Sequence, residues 1–282
     1  MIRWEAQGRA IVTDRVPRVM GIVNVTPDSF SDGGRAWTRD DAVAQALRLV
    51  DEGADLLDIG GESSRPGAEP VSAEEELRRV VPVVEALAPR VGAPISVDTT
   101  KAEVARRALE AGAAIINDIR ALGGDPALPR LAAEARAGVV LMHMAGTPRT
   151  MQVHPRYGDV LREVRDYLAR RIAALEPLGI PRARIAIDPG IGFGKTFEHN
   201  LELLRNLDQF ATLGCAIVIG TSRKGLLGTL TGRPVSERAT ASVVSSLAAA
   251  TRGAHVVRVH DVGPMADAIK VWTALRGWDE AS

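Results

Sequence analysis

The chain alternates eight times between a short aliphatic run and a longer amphipathic stretch, and this alternation limits its fold more than any other feature. Nearly continuous apolar runs are typical of parallel strands covered on both faces, and a 3.6-residue period is typical of the helices that connect them. A doubly wound open sheet has about five or six strands, so it would not accommodate all eight predicted strands. We therefore predict an α/β fold, a single (β/α)8 TIM barrel that occupies residues 1–282 as one domain.

The elements of this barrel can be predicted from the same pattern. The strands are expected at Val19–Val23, Leu56–Gly60, Ile95–Asp98, Ala114–Ile119, Val139–His143, Ile185–Asp188, Ala216–Gly220 and His255–His260. The helices are expected at Asp40–Glu52, Ser72–Leu87, Lys101–Ala111, Leu128–Arg136, Tyr157–Leu178, Glu198–Gln209, Val235–Thr251 and Val262–Arg276. The segment before Pro17, with a short strand at Ala10–Thr13, is expected to form a β-hairpin that plugs the bottom of the barrel.

Charge and cysteine content narrow the class of partner. The 35 basic and 35 acidic residues cancel, so no bulk field would attract nucleic acid or an anionic membrane. The start of the chain is too polar for a signal peptide, and no apolar run approaches the roughly 18 residues of a membrane span. Cys215 is the single cysteine and cannot form an internal disulfide. We expect a cytoplasmic protein that binds a small molecule.

Three connections are longer than a barrel requires, and all three follow predicted strands. They are Asn24–Thr38, Gly61–Val71 and Met144–Arg156. The carboxyl ends of barrel strands form the catalytic face, where long loops can close over a substrate and exclude water. The alternative is that they are decorative surface loops. The sequence suggests no role for the loop Met144–Arg156.

Polar residues stand at the ends of all eight predicted strands, where a barrel interior should be aliphatic. They are Asn24, Glu62, Asp98, Asn117, His143, Asp188, Ser222 with Lys224, and Arg258 with His260. One such residue alone is more often a helix cap or a turn former than a catalyst, but eight on one face require solvent or a polar ligand. Because strand side chains alternate, we predict that Asn117, and not Asp118, faces the barrel axis.

The chemistry of these residues suggests the type of ligand. Asp98 and Asp188 face several cations, which suits a ring that donates hydrogen bonds and carries an anionic tail. The loops after strands 7 and 8 are where barrels often hold phosphate. The segment 188–195 ends in Gly-Lys-Thr but lacks the glycine spacing of a P-loop, and no histidine or cysteine set has zinc spacing.

Seven motifs, in order along the chain, together resemble dihydropteroate synthase. They are Asn24-Val-Thr-Pro-Asp-Ser-Phe-Ser-Asp-Gly-Gly34, Gly61-Glu-Ser-Ser-Arg-Pro-Gly-Ala68, Asp98-Thr-Thr-Lys101, Asn117-Asp-Ile119, Asp188-Pro-Gly-Ile-Gly-Phe-Gly-Lys195, Ser222-Arg-Lys224 and Arg258-Val-His260. The resemblance runs from about Pro17 to the last helix, with Ser64 and Ile191 as conservative departures. It implies a transferase of the alkyl or aryl, non-methyl class that joins 6-hydroxymethyl-7,8-dihydropterin diphosphate to p-aminobenzoate in folate biosynthesis. It also implies Mg²⁺, a homodimer formed through the last helices, and a target of sulfonamides.

The resemblance further assigns residues to sub-sites. The implied pterin site consists of Asp98, Asn117, Asp188, Lys224, Arg258, Phe193 and Met142. The implied diphosphate site consists of Asn24, acting through Mg²⁺, with Arg258 and His260. The implied p-aminobenzoate slot consists of Ser63, Ser64, Arg65, Pro66, Phe193 and Ser222. The implied catalytic residues are Asp98, Asp32, Arg65 and Lys224, acting in an SN1-like reaction beneath the loops that follow strands 1 and 2.

Two rival functions share the pterin pocket. A barrel that moves a methyl group from methyltetrahydrofolate to a corrinoid protein does not need Ser63–Pro66, Ser222 or the diphosphate cations. A catalytically silent pterin-binding paralogue does not need Asn24, Asp32 and Arg65 together. Formation of dihydropteroate and diphosphate from the two substrates with Mg²⁺ discriminates among the three.

Overall fold

Eight parallel strands close into a barrel in the computed structural model, which describes residues 1–13, 16–26 and 38–279. The barrel strands are β3 (Arg18–Asn24), β4 (Leu56–Gly60), β5 (Ile95–Asp98), β6 (Ile115–Asp118), β7 (Gly138–Met142), β8 (Ile185–Asp188), β9 (Ala216–Ile219) and β10 (Val256–Val259). Each pairs with the next in chain order, and β10 returns to pair with β3. The predicted TIM barrel is confirmed.

Helices connect the strands and cover the outside of the barrel. They are α1 (Arg39–Asp51), α2 (Ala73–Leu87), α3 (Ala102–Glu110), α4 (Leu128–Glu134), α5 (Val160–Leu175), α6 (Phe197–Arg205), α7 (Gly225–Thr231), α8 (Ala239–Thr251) and α9 (Val262–Asp279). Their buried faces pack on outward side chains such as Val97, Val139 and Ile187. Among the described residues, none of these helices is both long and apolar enough to cross a membrane.

The amino-terminal hairpin closes the bottom of the barrel. Strands β1 (Ile2–Ala6) and β2 (Arg9–Thr13) pair antiparallel, as predicted. Trp4 is 1% exposed and packs with inward residues of the barrel strands, including Leu56 and Val140. Its indole N–H donates to the carbonyl oxygen of Arg184 at 3.1 Å. The hairpin therefore seals this end with apolar surface, and the ligand-accessible end is the opposite one.

The inward positions change from apolar to polar along four of the strands, and both inward positions of a fifth, β5, are polar. Leu56, Ile115, Ala186 and Val256 belong to the apolar cluster around Trp4, whereas Ser96 occupies the matching position of β5. Because side chains two residues apart share a strand face, the next inward residues are polar. These five residues are Asp58, Asp98, Asn117, Asp188 and Arg258. The pleat of the sheet thus gathers charged groups at the carboxyl end of the barrel.

Helix boundaries account for most departures from prediction. The predicted helix Val235–Thr251 is wrong at its start, because only a 3₁₀ turn forms at Val235–Glu237 and α8 begins at Ala239. Helix α7 was not predicted, since it is short and contains two glycines that weaken the helical pattern. The predicted helix Tyr157–Leu178 begins after the cap Asp159, and its α-helical part ends at Leu175, two residues before Pro177.

The remaining bounds differ by a few residues. Helix α6 begins after the cap Thr196 and ends at Arg205, where a 3₁₀ segment, Leu207–Leu213, replaces the predicted continuation to Gln209. Strand β10 is shorter than predicted, so His255 and His260 both lie outside it. The Nδ1 atom of His255 instead accepts a hydrogen bond from the backbone N–H of Ile217 at 3.0 Å.

Candidate active site

Arg258 joins two carboxylates across the inside of the barrel. Its Nε donates to Asp58 Oδ2 at 2.6 Å, and its Nη2 donates to Asp98 Oδ2 at 2.9 Å. The three residues belong to β10, β4 and β5, so the contact depends on closure of the barrel. The planar fork of a guanidinium can serve two acids at once, which the single ammonium of lysine does with much less directional control. We name this cluster the axial triad.

The axial triad holds one more negative than positive charge, and this affects the ionisation of Asp98. Burial and repulsion from Asp58 raise the pKa of Asp98 from its ordinary value near 3.8 to about 7, although Arg258 opposes the rise. The side chain of Asp98 remains 17% exposed, whereas that of Asp58 is fully buried. Asp98 is therefore the carboxylate of the triad that a ligand can reach.

Asn117 is oriented by the same cluster. Its Nδ2 donates to Asp58 Oδ2 at 2.9 Å, which leaves the amide oxygen to accept from a ligand. Asp118, the next residue, accepts from the backbone N–H groups of Arg120 and Leu122. Asn117 thus faces the barrel axis, as the strand alternation predicted, and Asp118 holds the following loop.

A second carboxylate, Asp188, faces the triad from β8. It is 6% exposed, and its Oδ1 accepts from the backbone N–H of Gly190 at 2.7 Å, which leaves its other oxygen for a ligand. Burial raises its pKa above the ordinary value, with Lys224 and Arg258 acting in the opposite direction. A planar molecule with two adjacent N–H donors would satisfy this carboxylate.

Lys224 lies beside Asp188 and over an aromatic ring. Its Nζ is 4.6 Å from the centroid of Phe193 and donates to the carbonyl oxygen of Ile191. Burial lowers the pKa of Lys224 to about 8, while Asp188 opposes this. Met142 is 4% exposed at the end of β7, which pairs with β8 at Asp188. Lys224 thus links the Asp188 carboxylate to the ring of Phe193, and Met142 is the neighbour of Asp188 on the adjacent strand.

Ser222 and His260 form a hydrogen-bonded pair at the ends of β9 and β10. The Ser222 hydroxyl lies 3.0 Å from His260 Nδ1 and accepts from the backbone N–H of His260 at 3.1 Å. Burial and the charge of Arg258 lower the pKa of His260 to about 3, and Arg65 contributes in the same direction. His260 is therefore neutral, with the proton on one of its two ring nitrogens, and it brings no positive charge to a ligand.

Asn24 ends β3 on the same rim of the barrel. Its side chain is half-buried and makes no hydrogen bond to another described residue, so its amide oxygen is available. Within the described part of the chain, no group of three or more His, Cys, Asp or Glu side chains could hold a metal ion. A single amide oxygen suits Mg²⁺ only if phosphate oxygens and water supply its other ligands. Asp32 lies outside the described residues.

The loop after β4 is anchored at its base by a partly buried ion cluster. Lys101 Nζ bonds to the carboxylates of Glu62 and Glu76, and the side chain of Glu76 is fully buried. Burial alone would lower the pKa of Lys101, but these two hydrogen bonds raise it above the ordinary value. Further along the loop, Arg65 N–H donates to Ser63 Oγ at 3.4 Å, and the Arg65 side chain is exposed.

Comparison with known proteins identifies the family. Residues 20–260 match the model of the family described as pterin binding enzyme. Dihydropteroate synthase from Escherichia coli K12 is 48% identical over 266 residues, covering 94% of each chain. The chain belongs to the dihydropteroate synthase family.

Solved structures of this family share the fold in detail. The Xanthomonas albilineans dihydropteroate synthase with 4-aminobenzoic acid aligns with a TM-score of 0.91 and 51% identity, covering 97% of this chain and 98% of that one. The Yersinia pestis dihydropteroate synthase in a sulfonamide complex aligns with a TM-score of 0.92 and 43% identity, covering 98% and 100%. The family inferred from the seven sequence motifs is confirmed.

Two of the residues predicted to surround the site have other partners in the structure, and one residue of the axial triad was not predicted. Glu62 is bound to Lys101, and His143 packs against Lys195 and Tyr167, so both residues of the predicted strand-end ring already have partners within the protein. The missed residue is Asp58, which lies within a strand and was treated as part of an aliphatic run. Its signal was present, because an acid two residues after an inward Leu56 must also face inward.

Proposed function

We propose that this chain catalyses the reaction of its family, joining 6-hydroxymethyl-7,8-dihydropterin diphosphate and p-aminobenzoate to give 7,8-dihydropteroate and diphosphate. The observation that carries the proposal is the axial triad, because it places an ionisable Asp98 beside a cation and an oriented amide inside one pocket. Such a pocket suits a ring with several donors joined to an anionic leaving group.

The pterin is proposed to bind with its donor edge toward Asp188. The free carboxylate oxygen of Asp188 accepts from the cyclic guanidine, and the amide oxygen of Asn117 accepts from a further ring N–H. Lys224 donates to the ring carbonyl and N5, and Arg258 lies along the ring face. Phe193 and Met142 complete the apolar contacts of the ring.

The diphosphate is proposed to lie above Arg258, between Asn24 and His260. Arg258 supplies charge, and we propose the tautomer of His260 in which Nδ1 accepts from the Ser222 hydroxyl and Nε2 donates one hydrogen bond to the diphosphate. Mg²⁺ would bind to the Asn24 amide oxygen together with diphosphate oxygens, and it would neutralise the leaving group. The available amide oxygen of Asn24 supports this placement.

The chemical step is proposed to be SN1-like. The C–O bond between the pterin methylene and the diphosphate breaks, and the departing diphosphate takes the electron pair. The carbon then becomes cationic, and the ionised carboxylate of Asp98 stabilises that charge more in the transition state than in the ground state. The amine of p-aminobenzoate forms the new C–N bond and loses a proton. Arg65 and Asp32 are proposed to complete the closed site.

p-Aminobenzoate is proposed to bind between two loops. Ser63, Ser64, Arg65 and Pro66 form one wall, and Phe193 with Ser222 forms the other. The proposal is supported by the Xanthomonas albilineans relative, whose structure contains 4-aminobenzoic acid. Sulfonamides are proposed to compete for the same slot, since the Yersinia pestis relative was solved with a sulfonamide.

One assay tests the activity against both rival functions. The protein is incubated with the pterin diphosphate, p-aminobenzoate and Mg²⁺, and dihydropteroate and diphosphate are measured in parallel. We expect equal amounts of both products. A corrinoid methyltransferase or a silent paralogue would bind a pterin and release no diphosphate.

A homodimer is proposed to form through the surface around α8 and α9. A groove of about 740 Å3 lies between α6, α7 and α8. Leu230 and Val244 line it and are 57% and 61% exposed, and Val271 and Leu275 are exposed on α9. Large exposed apolar patches mark interaction sites. Sedimentation should give twice the chain mass, and Val244→Glu should shift the protein toward monomer.

A cytoplasmic location is also proposed. It is supported by Cys215, which is buried and unpaired and so suits a reducing compartment.

A further inference from the structure

A third loop contacts both walls of the proposed p-aminobenzoate slot. This segment, residues 143–152 after β7, has no role in the activity described above. We propose that it is a positioning element, which we name the clasp, and that it fixes the separation between the wall at 63–66 and the wall at Phe193. The inference rests on the proposed function, and it adds a determinant of affinity and selectivity for the aromatic amine.

The clasp meets the first wall through the backbone. The N–H of Gly67, directly after Pro66, donates to the carbonyl oxygen of Pro148 at 3.1 Å. Gly67 has a φ of +81°, a left-handed conformation that favours glycine, so the loop turns toward the clasp without strain. Arg149 Nη1 lies 3.8 Å from Glu69 Oε2 on the exposed side of the same contact.

The clasp meets the second wall through side chains. Gln152 Nε2 donates to the carbonyl oxygen of Gly192 at 2.7 Å, in the peptide unit that leads into Phe193. On the inner side, Lys195 Nζ lies 3.0 Å from His143 Nδ1 and donates to the carbonyl oxygen of Phe193 at 3.0 Å. Phe193 is therefore held from both sides by groups that belong to the clasp or are bound to it.

Close backbone packing limits how far this second wall can move. A Cβ placed on Gly190 would lie 1.9 Å from the carbonyl oxygen of His143, and one on Gly194 would lie 2.8 Å from the Cβ of Ala145. Both glycines have positive φ. The glycine-rich turn and the clasp therefore fit together without room for a side chain between them.

The clasp has internal bonds that make it suitable as a rigid spacer. The Thr147 carbonyl oxygen accepts from the N–H groups of Thr150 and Met151 at 2.9 and 2.7 Å, and Met151 is 3% exposed. Among the described residues, no side chain of the clasp bonds to Asp98, Asn117 or Asp188. A defect in the clasp should therefore weaken binding of p-aminobenzoate more than binding of the pterin, which shares Phe193 but keeps its polar partners Asn117 and Asp188.

Gln152→Ala tests the proposal in the full-length protein with both substrates and Mg²⁺. Loss of this hydrogen bond should raise the KM for p-aminobenzoate about three- to tenfold. The kcat and the KM for the pterin diphosphate should stay within about twofold of the unaltered protein. The control is Gln209→Ala, because Gln209 is exposed and its side chain bonds to no described residue.

A selectivity measurement distinguishes positioning from general loosening. If the clasp sets the width of the slot, Gln152→Ala should discriminate less between p-aminobenzoate and a ring-substituted analogue such as 3-chloro-4-aminobenzoate. Lys195→Met should produce the same pattern with a larger change, provided that its thermal melt shows a folded protein. Gln152→Ala still tests the proposal if Lys195→Met does not fold.

Equal changes in the two KM values, or no difference from Gln209→Ala, would overturn the inference and leave the proposed function intact. If the unaltered protein formed no dihydropteroate, the proposed function would fall and the inference with it.

Discussion

The two ends of the barrel are built from the same strands and have opposite chemistry. At the amino end, inward residues of most strands pack in an apolar cluster with Trp4 of the hairpin. At the carboxyl end, two residues further along, the inward residues are the axial triad, Asn117 and Asp188. Four of the strands, β4, β6, β8 and β10, therefore supply a stabilising residue and a functional residue on one face. Residues for stability and residues for function thus lie only two positions apart on the same strand face. Substitutions at the amino end should therefore affect stability, and substitutions at the carboxyl end should affect ligand binding.

The largest effect is expected at the functional end. Asp188→Asn should abolish measurable pterin binding, a loss of about a thousandfold or more, because an amide cannot accept from two adjacent ring donors. The free energy of unfolding should stay the same or rise, since a buried charge is removed. Calorimetric titration with the pterin and urea unfolding measure the two quantities, with Asp208→Asn as the exposed control. Unchanged pterin affinity would contradict the proposed pairing.

The reciprocal change is Trp4→Ala at the closed end. It should lower the free energy of unfolding by about 3 to 5 kcal/mol, because it leaves a cavity and removes the bond to the Arg184 carbonyl. Both KM values should remain unchanged at a temperature where the protein stays folded. Trp272 on α9 is partly exposed, so Trp272→Ala should lower the free energy of unfolding by less. A large rise in either KM for Trp4→Ala would show that the two ends are coupled.

A smaller effect is expected when the charge is kept and only its geometry changes. Arg258→Lys should lower kcat/KM about ten- to a hundredfold, because one ammonium does not reproduce the two directed bonds to Asp58 and Asp98. Steady-state kinetics provide the measurement, and Arg252→Lys on the surface is the control. Activity close to that of the unaltered protein would mean that charge alone matters here.

The smallest effect concerns pH. The folded pKa of Asp98, about 7, lies above its unfolded value near 3.8. The folded state therefore binds more protons than the unfolded state between these values. The stabilisation that comes from protonated Asp98 in the folded state is fully present below pH 4 and is lost as pH rises to about 7. The melting temperature of Asp98→Asn should therefore fall less between pH 5 and pH 8 than that of the unaltered protein.

Activity should have the opposite dependence on pH. An ionised Asp98 is needed to stabilise the cation, so kcat/KM should fall below about pH 7, where this carboxyl takes up a proton. A flat profile from pH 5.5 to 8 would contradict this role.

The fold could be predicted because it depends on periodicity, and periodicity survives in a single sequence. Eight apolar runs were sufficient for a closed barrel, and the hairpin followed from its position before Pro17. Helix α7 was missed because Gly225 and Gly228 weaken a seven-residue helix that tertiary packing then stabilises.

The site was predictable only in part, for a similar reason. Strand-end polarity indicated most of the residues that converge inside the barrel. Asp58 was missed because one acid inside an aliphatic strand does not reveal that its partner lies 200 residues away. Glu62 and His143 were included because the sequence does not show that Lys101 and Lys195 already engage them.

The amino-terminal hairpin also has a consequence for synthesis of the chain. It is synthesised before every barrel strand, yet β1 packs against β7, β8 and β9, and Trp4 bonds to a carbonyl 180 residues further along. Contacts of such high sequence separation form late because a large loop must close first. Trp4 and Ile11 therefore have no docking site until about two-thirds of the chain exists. The hairpin of the nascent protein therefore stays undocked while most of the barrel is synthesised. Its docking at the amino end of the barrel is the last step of folding.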